Sequence, residues 1–132
     1  MSTTYDRIYQ TFLNNCKVSD IDLPSTDEGK YEMIKNAVLL FNNRLRTEIK
    51  CDDLTESVSE ELNEDYLLII AHYIRYSFLL NERTFFESLW QPFEKDVGLK
   101  NFSSQLTSLK NSVSEQERLI DRLIMNTEVD FL

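Results

Sequence analysis

From Phe102 onward, apolar side chains recur at Leu106, Leu109, Val113, Ile120 and Leu123, in alternating steps of four and three, with Gln116 the one polar member of the series. A period near 3.5 residues holds a single stripe along a helix that packs lengthwise on a partner. The rest of the segment is polar. Residues 101–126 therefore read as a long C-terminal helix or arm, built to lie against something in its own fold or in a neighbouring subunit. Gln116 is either a chance polar position or a register-setting residue within the seam.

The chain preceding this helix has few means of turning sharply. Two glycines and two prolines in 132 residues leave little material for tight hairpins, which favours long helices joined by short polar loops. At this length a single core suffices. The expectation is an all-α fold: one domain over 1–132, a small bundle of four to five helices.

The first helix carries Tyr5, Ile8, Tyr9, Phe12, Leu13 and Cys16 on one face. Thr3 and Asp6 have the spacing of a capping box. A polar loop from Lys17 to Thr26 follows, anchored by Ile21 and Leu23. Asp27 and Glu28 then place negative charge at a helix start, where the macrodipole favours it. This second helix buries Ile34, Val38, Phe41, Leu45 and Ile49, with Met33, Ala37 and Leu40 widening the stripe. Residues 50–62 fit both a helix and a short alternating strand, and read as an irregular acidic connection.

Asn63, Glu64 and Asp65 give the cap and acidic first turn of a third helix. Its residues Tyr66 to Ile74 are apolar nearly all round, which places it at the centre of the bundle, with an extent to about Leu80. Asn81 to Thr84 either break this helix or face water. Phe85, Phe86, Leu89, Trp90 and Phe93 gather around Pro92, which suits the first turn of a short helix ending at Gly98. Asn101 would cap the last helix, which runs toward Met125.

Catalytic chemistry finds no foothold in this pattern. His72 is the single histidine, with Leu68 and Ile69 one turn before it, so it reads as a hydrogen-bonded core residue. Cys16 lies on an apolar helical face and reads as packing. Cys16 and Cys51 are expected as free thiols in a reducing cytoplasm, there being no secretory pattern at the start. No residues occur at metal-ligand spacing and there is no glycine-rich phosphate loop. The expectation is a non-enzyme with no metal and no cofactor. The most apolar stretch, Tyr66 to Tyr73, is too short to cross a bilayer.

Charge narrows the partners. A net charge of −9 disfavours general nucleic-acid or anionic-membrane binding, which draws on a basic face. Asp52, Asp53, Glu56, Glu60, Glu61, Glu64 and Asp65 run without an intervening lysine or arginine. They form either a solvated loop and helix start, or a negative surface for a basic partner. Arg44, Arg46 and Lys50 suit the end of the second helix, with an inter-subunit bridge to the acidic run as a second reading. Trp90 and Phe93 plug a core end or serve as an exposed interface anchor, since aromatics are enriched in hot spots. Together with Phe102, Leu106, Leu109, Val113, Gln116, Ile120 and Leu123 they make up the candidate protein interface.

The order of these elements resembles a known family. An amphipathic helix with Tyr5 and Phe12 leads to Leu23–Pro24 and a helix with Asn42–Asn43–Arg44. Ala71–His72–Tyr73–Ile74–Arg75–Tyr76, Trp90–Gln91–Pro92–Phe93 and a long polar terminal helix follow. This is similar to the small head–tail connector (neck adaptor) proteins of tailed bacteriophages. The resemblance implies a structural virion protein, a homo-oligomeric ring of about a dozen copies. It would bind the portal protein and the next neck or tail protein, after synthesis in the cytoplasm of a bacterial host. DNA would pass through without specific binding, and no membrane is involved. No family site maps onto particular residues here. Two other classes compete: an acidic inhibitor or DNA mimic binding a basic partner, and a small regulator dimerised through its terminal heptads.

Overall fold

The computed structural model describes residues 2–16, 23–90 and 99–129. In chain order these form β1 (Thr3–Thr4), α1 (Tyr5–Asn15), α2 (Asp27–Leu45), β2 (Cys51–Asp52), β3 (Ser57–Val58), α3 (Glu64–Trp90) and α4 (Leu99–Val129). The fold is small and all-α, with a long C-terminal helix. Asn63 Oδ1 accepts from the Tyr66 amide at 2.8 Å and opens α3 as its sequence implies. Being apolar on nearly every side, α3 packs against each of the other helices. Ile69, Ile70 and Ala71 are fully buried there, among Ile8 and Phe12 of α1 and Ala37 and Phe41 of α2. Phe12 stacks on Phe78 with ring centroids 5.9 Å apart.

Several local expectations are corrected. The cap of α1 is Thr4, whose side chain accepts from the Arg7 amide. Thr3 instead enters a small antiparallel sheet of order β1-β3-β2. Residues 50–62 thus hold a hairpin rather than an irregular connection. It turns without glycine because Glu56 accepts a left-handed backbone, φ 53°. Ile49 is buried but lies beyond α2, which stops where Arg46 turns left-handed at φ 58°. The Asn42 side chain caps that stop, donating to the Ile49 carbonyl and accepting from the Ile49 amide and the Thr47 hydroxyl.

Asn81 and Thr84 are exposed and α3 runs past them to Trp90. The bundle needs no break there, because polar residues facing water cost a helix little. Helix α4 begins at Leu99, which leaves Asn101 inside its first turn, and extends beyond Met125 to Val129. The proposed loop anchor Ile21, and the short helix placed at Pro92 with its stop at Gly98, lie outside the described residues. None of the described helices is long and apolar enough to cross a membrane.

Candidate protein-contact surfaces

The terminal stripe is taken up by α3 of the same chain. Val113 and Ile120 are buried, and Leu106, Leu109, Gln116 and Leu123 are half-buried. The stripe's one polar residue meets the chain's one histidine. Gln116 Nε2 lies 2.9 Å from His72 Nδ1 and donates to the His72 carbonyl at 3.1 Å. With Nδ1 accepting, the imidazole is neutral and carries its proton on Nε2. Burial also holds its pKa below the ordinary value. Cys16 Sγ sits 3.8 Å from the same Nδ1, and burial pushes its thiol up to about 11. A protonated thiol beside a neutral imidazole is not an activated nucleophile. The three side chains bring the end of α1 together with α3 and α4.

On either side of its seam, α4 presents a flank, and the two flanks differ in charge economy. Toward α2 a cleft of about 520 Å³ is lined by Tyr73, Tyr76, Arg44, Arg46, Glu117 and Asp121 among others. Two pairs close within it: Tyr76 donates to Glu117 at 2.9 Å and Arg44 bridges Asp121 at 3.2 Å. Arg44 is therefore engaged within the chain.

The opposite flank is not settled in this way. There a cleft of about 480 Å³ runs between α3 and α4, lined by Arg75, Arg118 and Arg122 with Leu79, Leu119 and Ser112. Glu115 and Gln116 complete it. Among the described residues, none of these three arginines has an ion pair or hydrogen bond to a side chain. Arg118 and Arg122 stand one turn apart on the same helix, a mildly repulsive spacing. Three guanidinium groups without an ion-pair partner among the described residues stand over an apolar floor in a chain of charge −9, and guanidinium binds carboxylates bidentately.

The acidic run is arranged around the β2–β3 hairpin and the start of α3. Asp53 accepts from the Tyr5 hydroxyl at 2.9 Å and from Lys35 Nζ at 3.0 Å. Those two bonds hold its carboxyl below the usual range. A hydrogen bond to Glu56 holds the Tyr31 hydroxyl protonated, up to about 12. Asp52, Glu56, Glu60 and Glu61 are exposed, and so are Glu64 and Asp65 in the first turn of α3. At the tip, Leu54 is 95% exposed. Among the described residues no group of His, Cys, Asp and Glu is placed to hold a metal ion.

Of the aromatic candidates, Trp90 is the last residue of α3 and Phe102 lies in the first turns of α4, but their side chains, and all of Phe93, fall outside what is described. Sequence reasoning passed over Arg75, Arg118 and Arg122. The signal was present: Arg118 and Arg122 lie four apart, off the apolar stripe, and Arg75 closes the apolar run of α3.

A family model described as YomZ prophage protein matches residues 1–129. A protein of Bacillus subtilis (strain 168), described as SPbeta prophage-derived YomZ, is 58% identical over 130 residues, covering 98% of this chain and 99% of the relative. No solved structure matches. These findings overturn the resemblance to head–tail connectors, since that family is not indicated. An order of helices with a few local peptides such as Trp90–Gln91–Pro92–Phe93 is shared by many small bundles, and so discriminates poorly.

Proposed function

The chain belongs to the YomZ family of prophage proteins, and on that premise we propose that it acts by non-covalent contact with protein rather than by catalysis. The contact surface is the α3–α4 cleft, and its partner is an acidic protein surface. The observation that carries this reading is the trio of arginines above Leu79 and Leu119, without ion-pair partners among the described residues. Arginine is enriched among the residues that dominate binding energy, especially where an apolar floor excludes water beside it. The protonated Cys16 and neutral His72 support the non-catalytic part, because the best-placed nucleophile and base are both held inert.

The test is co-purification from an induced lysogen, comparing the tagged full chain with Arg75→Ala/Arg118→Ala/Arg122→Ala. The variant should unfold at the same midpoint as the parent and lose the co-purifying protein. Retention of the same protein by the folded variant would overturn the proposal.

A further inference from the structure

The cleft implies an occupant of definite shape, and the chain carries one. We infer that the arginine cleft receives the acidic β2–β3 turn of a second copy, with Leu54 seated over Leu79 and Leu119. The inference rests on the proposed function and names the partner.

A fully solvated leucine at the tip of a turn is ordinarily unremarkable, but this turn is built to hold its shape. Asp52 Oδ1 accepts from the Leu54 amide at 2.9 Å, closing an Asx turn. Asp53 is tied to Tyr5 and Lys35, and β3 is paired on both edges. A turn fixed in this way loses little conformational freedom on docking. Asp52 and Glu56 flank the leucine with exposed carboxylates. The knob is thus apolar at its centre and negative at its rim. The cleft is apolar at its floor and positive at its rim, with Glu115 its one carboxylate.

A single chain cannot bring the two together. The hairpin is tied to α1 and α2 through Tyr5 and Lys35, whereas the cleft lies on the flank of α4 opposite the one facing α2. Two different patches that fit each other make a heterologous contact, which repeats head to tail into a closed ring or an open filament. Copies of charge −9 repel at long range, so the contact needs enough salt to screen the whole molecules. The close pairs in the cleft survive that screening better.

The experiment is sedimentation velocity on the full chain near physiological salt, with two variants. Leu54→Asn removes the knob, and Arg118→Glu/Arg122→Glu reverses the cleft. All three altered positions are at the surface, and circular dichroism verifies the fold. The parent should self-associate as concentration rises, and each variant alone should weaken association roughly tenfold or more. Mixed together, one variant contributes a sound turn and the other a sound cleft, so the pair should form a dimer that grows no further. A parent that stays monomeric to near-millimolar concentration would overturn the inference. So would a mixture that stays monomeric, or variants that associate like the parent through a symmetric α4 contact. A monomeric parent whose triple arginine variant still loses a co-purifying protein leaves the proposed function standing with a different partner.

Discussion

Replacing Thr3 by valine removes one oxygen and keeps the shape and the β-branching. That oxygen ties the N-terminus to the start of α3: Thr3 Oγ1 donates to the Glu60 carbonyl at 3.0 Å and accepts from the Leu62 amide at 2.8 Å. Thr3 is 2% exposed, and so is Leu62. In Thr3→Val the Leu62 N–H stays buried with no acceptor, which costs about 1–3 kcal/mol. The Glu60 carbonyl belongs to an exposed residue and recovers a water, so it adds little. The working figure is about 2 kcal/mol, which lowers the urea midpoint by roughly 1 M for a slope near 2 kcal/mol/M. Thr3→Ser is the informative partner: it keeps both bonds and loses one buried methyl, worth about 1 kcal/mol. Urea unfolding followed by circular dichroism should therefore rank the parent above serine and serine above valine. A valine variant as stable as the serine variant would refute the claim that this hydroxyl anchors β1.

The remaining predictions concern the seam and the turn. His72 has a folded pKa below its unfolded value of about 6.5, so its contribution is complete above that value and shrinks as pH falls toward the folded pKa. Urea midpoints should accordingly rise with pH through this window, and His72→Asn should flatten the rise. Gln116→Glu places a carboxylate beside Nδ1 and should raise the His72 pKa in an NMR titration; an unchanged value would contradict the hydrogen-bonded geometry. Cys16, with its thiol pushed up to about 11, should be alkylated at pH 8 far more slowly in the native protein than in urea. Leu54→Asn should leave stability within about 0.5 kcal/mol of the parent, as expected for a fully exposed side chain, and a larger loss would mean that the turn packs within its own chain.

Much of the helical framework was legible because burial imposes a period. The all-round apolar run at Tyr66–Ile74 identified the central helix, and the steps of four and three identified the face of α4. What escaped depends on contacts distant in sequence. Thr3 and Asp6 have the spacing of a capping box, but the Thr3 hydroxyl is claimed by Glu60 and Leu62, which moves the cap to Thr4. The hairpin was hidden because Glu56 adopts the left-handed conformation without glycine, which removes the usual marker. Ile49 continues the α2 period although Arg46 has ended the helix, so periodicity alone overran the stop. The arginine cleft combines α3 with α4, and no single stretch reveals that Arg75 and Arg118 face the same space. Composition pointed the other way: the conspicuous charge is the acidic run, while the informative cations are few and scattered.

The most direct measurement follows the arginine side chains themselves. Spectra of the Nε–Hε groups, recorded on the full chain from micromolar to near-millimolar concentration, report which guanidinium groups enter a contact. The account predicts shifts at Arg75, Arg118 and Arg122 together with the backbone amides of the β2–β3 turn, while Arg44 stays in place on Asp121. Concentration-dependent shifts confined to Arg44 and Arg46, or none at the α3–α4 cleft, would contradict it.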